Sequence, residues 1–233
     1  MRSRLLIAVL SMLAGTACGV HENPPVESAV TRPDKILDFN ILYSENCAGC
    51  HGKGGKSGLA LSLSDPVYLA IADDSVIQSV TSKGVAGTAM PAFAKGAGGS
   101  LTDQQIGVIV NGIRAWAKPD ALRGQQLPPY AADVTGDAAR GASVYETYCS
   151  SCHGIDGCGS ARASSIVDPS YLALVSQQGL RTTVIVGRPE LGAPDWRDDV
   201  AGKPMSSQDV SDVVAWLAAQ RTHTNTKPIG ETR

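Results

Sequence analysis

The sequence predicts an all-α protein written twice, as two consecutive helical bundles of roughly 85 residues each. Three observations predict it. "YSENCAGCHGKGG" (43–55) answers to "YETYCSSCHGIDG" (145–157), with Cys47 matching Cys149. "DPVYLAIA" (65–72) answers to "DPSYLALV" (168–175), and "LTDQQIGVIVNGI" (101–113) to "MSSQDVSDVVAWL" (205–217). No stretch alternates with period two, so a sheet is not expected.

The first element is a leader. A basic "MRSR", the apolar run "LLIAVLSMLA" and small residues before Cys18 read as a secretory signal over 1–17, too short to span a bilayer. Cleavage before Cys18 would resemble bacterial lipoprotein processing, with lipid on the new N-terminal cysteine. Gly15 departs from that pattern, and ordinary cleavage after Ala17 is the alternative. Residues 18–34 are polar and Pro-containing, a tether.

Ile36, Phe39 and Tyr43 then predict a helix running into the first cysteine motif. Ala138, Gly141, Tyr145 and Tyr148 predict its counterpart before the second. Each bundle closes on an amphipathic helix. One carries the stripe Ile106, Ile109, Val110 and Ile113, the other Val210, Val213, Val214 and Leu217. Thr102 with Gln105 makes a capping box for the first, and Ser206 with Asp209 a weaker one for the second. Gly141 is placed to let the outer helices of the second bundle approach closely. Phe39 stands in the matching place of the first, so that contact must differ. The bundles are expected over 35–118 and 135–221, with a Pro-containing linker over 119–134 and a polar tail over 222–233.

Bulk composition narrows the function. Aromatic residues make up only 5% of the chain, so its cores must be completed by something else, and a large buried cofactor would serve. The formal charge is −2, with Lys and Arg scattered, which excludes a nucleic-acid partner. Removing Arg2 and Arg4 from the 20 basic residues leaves 18 against 22 acidic ones in the mature chain.

Export to an oxidising compartment would suit disulfides, but four of the six cysteines form Cys-x-x-Cys pairs, each followed at once by His. Haem has two vinyl groups, and two thiols three residues apart can each form a thioether to one of them. The next histidine is then held beneath the iron, the c-type attachment pattern. A zinc clamp would leave His51 and His153 unexplained, and a redox dithiol expects a βαβ setting that is absent. The pattern therefore assigns Cys47, Cys50, Cys149 and Cys152 to two covalently attached haem c groups, with His51 and His153 as iron ligands.

With "CAGCHG", "GTAMPAF" and the 101–113 helix in one copy, and "CSSCHGIDG", "GAPDW" and "DVVAWL" in the other, the chain resembles the class I cytochromes c, as a tandem di-haem member. The resemblance implies two class I cytochrome c domains, each a small helical bundle around one haem. It also implies a methionine as sixth iron ligand, which raises the reduction potential relative to harder ligands. Met90, stiffened by Pro91, fills that place in the first copy. In the second the matching residue is Ala193, which cannot ligate. Met205, twelve residues later and matching Leu101, is the expected ligand there, with His223 or an open iron as alternatives. Cys158 is left over and reads as a free surface thiol. Tyr68 and Tyr171 are candidates for a haem propionate or for the core. Trp116, Trp196 and Trp216 read as packing residues.

With both irons capped, only electron exchange remains. The expected function is a periplasmic electron carrier between redox protein donors and acceptors of a respiratory chain, from a quinol-oxidising complex or dehydrogenase to a terminal oxidase. It would be held at the membrane surface if Cys18 is acylated. The alternatives are a di-haem enzyme of the peroxidase or thiosulfate-oxidising type with an open second haem, and a cytochrome subunit of a membrane respiratory complex.

Overall fold

Two runs of five helices follow one another in the computed structural model, which describes residues 31–223 except Asp198, and only the backbone of 222 and 223. The expected signal segment, Cys18 and most of the tether and tail lie outside the described residues. The first run is α1 (Phe39–Asn46), α2 (Ala48–His51), α3 (Pro66–Ile71), α4 (Asp74–Lys83) and α5 (Asp103–Arg114). The second is α6 (Ala138–Tyr148), α7 (Ser150–His153), α8 (Pro169–Leu174), α9 (Gln177–Val186) and α10 (Ser207–His223). Only isolated bridges join the extended segments among the described residues, so the protein is all-α.

The helices start where short polar side chains can take up the orphan amides of a first turn. Asp38 accepts from Ile41 N at 3.0 Å and starts α1, which leaves Ile36 outside the helix its spacing had suggested. Asp65 and Asp168 cap α3 and α8, each followed by a proline at the first helical position, where a missing N–H costs nothing. Both expected capping boxes form. Thr102 and Gln105 bond reciprocally, and so do Ser206 and Asp209. Gln105 also donates to the carbonyls of Pro33 and Ile36, tying the chain's entry to α5.

The outer helices of each half cross over a core that follows the predicted stripes. Ile106, Ile109 and Ile113 are buried on α5, and Val210, Val213 and Leu217 on α10. Arg114 reaches from the end of α5 to the carbonyls of Leu69 and Ala72, and Arg221 does the same from α10 to Leu172 and Val175. Arg221 sits one turn later than the repeat would place it, so this shared staple was hidden from sequence comparison.

Residues from Pro33 onward make one compact unit. The Pro-containing segment between the halves is packed into it. Leu122 is buried, and Arg181, only 2% exposed, donates to the carbonyls of Pro129 and Tyr130 and to Ser211 Oγ. Gln178 adds a bond to the Tyr130 carbonyl at 2.8 Å. Arg188, beyond α9, crosses to the first half and donates to the carbonyls of Gly58 and Leu59 at 2.8 and 3.2 Å.

Candidate functional site

Each cysteine motif is a single helical turn. Cys47 precedes α2 and accepts from His51 N at 3.0 Å; Cys149 precedes α7 and accepts from His153 N at 2.9 Å. Positions i, i+3 and i+4 share one face of a turn, so both thiols and the imidazole of each motif point the same way. Gly52 and Gly154 end these turns at φ of 77° and 81°. At Gly52 a side chain would strike Lys56 O at 1.9 Å, which is why glycine follows the histidine there.

The histidines are oriented from behind. His51 Nδ1 lies 2.8 Å from Leu61 O, and His153 Nδ1 lies 2.8 Å from Ser164 O. A carbonyl oxygen only accepts, so Nδ1 carries the proton in each ring and Nε2 keeps its lone pair for a metal. Burial also holds His51 below the ordinary imidazole range, against the opposing effect of its carbonyl partner. These are the protonation and tautomer that an axial histidine needs.

The thiols fit attachment better than metal clamping. Burial pushes Cys47 up to about 11 and Cys149 up to about 12. The five described cysteines are free of disulfides, and no three His, Cys, Asp or Glu side chains among the described residues converge as a metal cluster. The two Cys-x-x-Cys pairs therefore do not share one ion. Covalent haem is the group these residues fit: Cys47, Cys50 and His51 would hold it in one half, and Cys149, Cys152 and His153 in the other.

Two tyrosines that marked the helical spacing ahead of each motif brace these turns. Tyr43 Oη donates to Gly52 O at 3.0 Å, and Tyr145 Oη to Gly154 O at 2.5 Å. Both open their quoted repeat, and that shared position was the available signal. Trp116 meets Tyr43 edge-on at 5.1 Å, and Trp216 stacks on Tyr145 at 4.2 Å, so both indoles pack as expected. Trp196 is buried as well. Tyr68 is 5% exposed and belongs to the core, whereas Tyr171 is 37% exposed. Cys158 is exposed.

Met90 sits half-buried in a loop closed by Val85 N to Met90 O at 3.0 Å and Met90 N to Thr88 Oγ1 at 3.1 Å. The loop is anchored below by Phe93 N to Thr81 O and Ala94 N to Ser82 O. In the second half, Arg188 N bonds Ala193 O at 2.9 Å, so Ala193 stands in the place of Met90. Met205 N bonds Trp196 O at 2.9 Å as Leu101 N bonds Phe93 O at 2.8 Å, and the Met205 side chain is 3% exposed. The side chain of His223 lies outside the described residues.

Comparison with known proteins meets the geometry from the other side. The family model for cytochrome C oxidase, cbb3-type, subunit III matches residues 35–111 and 136–217. Over 123 residues, 48% of this chain, the sequence is 32% identical to the cbb3-type cytochrome c oxidase subunit CcoP of Azospirillum sp. (strain B510). The match spans only 37% of that subunit's length. Among solved structures, the reducing HAO-like protein complex of Kuenenia stuttgartiensis aligns over 78% of this chain and 94% of its own, at a TM-score of 0.45 and 16% identity, too loosely to bear on fold or function. No helix among the described residues is long and apolar enough to cross a membrane. Matched in both halves, with a histidine in each whose Nδ1 is fixed and whose Nε2 is free, the chain belongs to the cytochrome c oxidase, cbb3-type, subunit III family of haem c-binding electron-transfer cytochromes.

Proposed function

We propose that the chain is an exported di-haem electron carrier, passing electrons between redox protein partners on the periplasmic side of a bacterial membrane. The observation that carries this is the doubled turn: Cys47, Cys50 and His51, then Cys149, Cys152 and His153, each with the histidine Nδ1 bonded to a backbone carbonyl. Bound haem supplies a one-electron couple at each turn. The protein's part is to hold that couple in a fixed orientation. The Leu61 and Ser164 carbonyls lock the imidazoles, and Tyr43 and Tyr145 brace the turns behind them. Met90 is the distal ligand of the first site, and Cys18 would tether the carrier to the membrane surface.

The similarity to an oxidase subunit favours a second reading, in which the chain delivers electrons while seated in a respiratory complex. Both readings share the same chemistry and differ in what the chain is bound to. Pyridine haemochrome quantification with intact-protein mass tests the shared core, and two covalent haems per chain are expected. A mass without haem on either motif would sink it. Size-exclusion chromatography of gently solubilised membranes separates the readings, since a free carrier elutes alone and a subunit co-elutes with oxidase activity.

A further inference from the structure

The two distal loops share their backbone and differ in chemistry. Gly84 and Gly187 turn at φ of 66° and 67°, and a side chain on either would strike the proline carbonyl carbon of its loop, Pro91 at 2.6 Å or Pro194 at 2.5 Å. The next residues close the loops with the same bond, Val85 N on Met90 O and Arg188 N on Ala193 O; Ala193 N also bonds Arg188 O, and Trp196 N bonds Ile185 O, one residue out of step with Phe93 N on Thr81 O. The chain thus brings Ala193 to the position from which Met90 acts, and a methyl group has no lone pair to offer.

Met205 is not brought there. Its backbone repeats the bond that Leu101 makes, and its side chain is as covered as that leucine, 3% against 5% exposed. It packs in one apolar cluster with Tyr148, Trp196, Val210 and Val213. A thioether that ligates haem iron must be open on the side the macrocycle occupies, as half-buried Met90 is. Met205 is instead the kind of flexible apolar filler that cores use. His223 fares no better by position. It ends α10, about 24 Å along the axis from the helix start that meets the distal loop.

We propose that Ala193 leaves the distal side of the second haem site open to a small exogenous lone-pair donor of the carbon monoxide type, with Met205 serving as a core residue. This rests on the reading that the second motif carries haem. One half is then a closed electron-transfer site and the other a ligand-accepting one.

The test is an optical titration of the reduced full-length protein with carbon monoxide, after covalent haem has been counted. Wild type should bind one carbon monoxide for its two haems. Met205→Leu should leave that stoichiometry and the spectrum unchanged. Ala193→Met should reduce binding from one to none and, in the oxidised protein, strengthen the methionine-to-ferric-iron charge-transfer band, because Arg188 N bonds residue 193 as Val85 N bonds Met90. Absence of binding in wild type overturns the proposal, as does a carbon monoxide site that appears only in Met205→Leu. If Ala193→Met does not fold, the wild type and Met205→Leu pair still decides. A count of one haem per chain sinks the di-haem reading itself, and does so before any gas is added.

Discussion

The two halves solve one packing problem with opposite assignments of large and small. Where the outer helices cross in the first half, Phe39 on α1 lies over Gly112 on α5, and a methyl on that glycine would fall 2.0 Å from the ring. In the second half the small residue is on the other helix. Gly141 on α6 lies under α10, with a would-be methyl 2.1 Å from Asp212 O and 2.7 Å from the Trp216 Cβ. Either arrangement fills one crossing with one aromatic ring. The halves differ in what the glycine faces, a side-chain ring in one and a backbone carbonyl in the other.

The same inversion moves the indoles. Trp216 sits inside α10 at the place of Gly112 and stacks on Tyr145. Trp116 comes one turn later, beyond α5, and reaches Tyr43 edge-on. The outcome in both halves is a tyrosine pinned from behind, with its hydroxyl on the glycine after the axial histidine. Duplicated domains can therefore drift in sequence at a crossing while the bracing of the metal ligand is kept.

The comparison is broken most severely at the distal loops. Met90→Ala should make the first half like the second. Its reduction potential should fall by a sizeable fraction of the roughly 0.8 V that axial ligands span, measured by redox potentiometry, and an unchanged potential would remove Met90 from the iron. Next in size is Gly141→Ala, which drives a methyl into the Asp212 carbonyl and should cost about 3 kcal/mol. Gly112→Ala puts a methyl 2.3 Å from the Phe39 Cγ, so the whole side chain must swing aside, at a cost of about 2 kcal/mol. Chemical unfolding of the two variants compares them, and equal costs would refute the difference between ring and carbonyl.

A further effect separates the halves by pH. Asp212 is buried at the α6–α10 crossing and accepts from Arg140, Gln208 and the Asp137 amide. The Arg140 guanidinium, above all, holds its carboxyl below the usual carboxylate range. A depressed folded-state value means that its stabilisation is complete above the unfolded value of about 3.9 and is lost as pH falls below it. Asp212→Asn should therefore destabilise by about 2 kcal/mol at neutral pH, and the gap from wild type should close in acid, below the ordinary carboxylate range. A gap that widens in acid would reverse the sign. The smallest change is Arg188→Val, which copies Val85 of the first half and removes the bonds to Gly58 and Leu59. A loss of about 1 kcal/mol is expected, with faster amide hydrogen exchange at Ala60, whose N–H bonds Cys50 O beside the first motif.

Much of this was legible in the chain itself. The all-α fold, the duplicated halves, the capping boxes at Thr102 and Ser206 and the close approach at Gly141 follow from short-range rules, because caps and stripes are decided within one or two turns. The carbonyls that orient His51 and His153 were not legible, since they are backbone atoms ten and eleven residues away and carry no side-chain signature. Arg188, Arg181 and Arg221 were equally silent. Each acts on carbonyls far off in sequence, and an arginine with a backbone partner looks like any other arginine.

By itself, then, the sequence carried the expectation of haem attachment and the number of helical repeats, because cysteine spacing and helical periodicity are local properties of a chain. Only the tertiary structure showed that Ala193 takes the backbone place of Met90 and that Met205 is buried. Twelve residues separate Ala193 from Met205, and no local rule says which of them a folded loop carries to the distal side. Arg188 N to Ala193 O repeats the bond of Val85 N to Met90 O, and Met205 N to Trp196 O that of Leu101 N to Phe93 O, pairings that exist only in the folded chain.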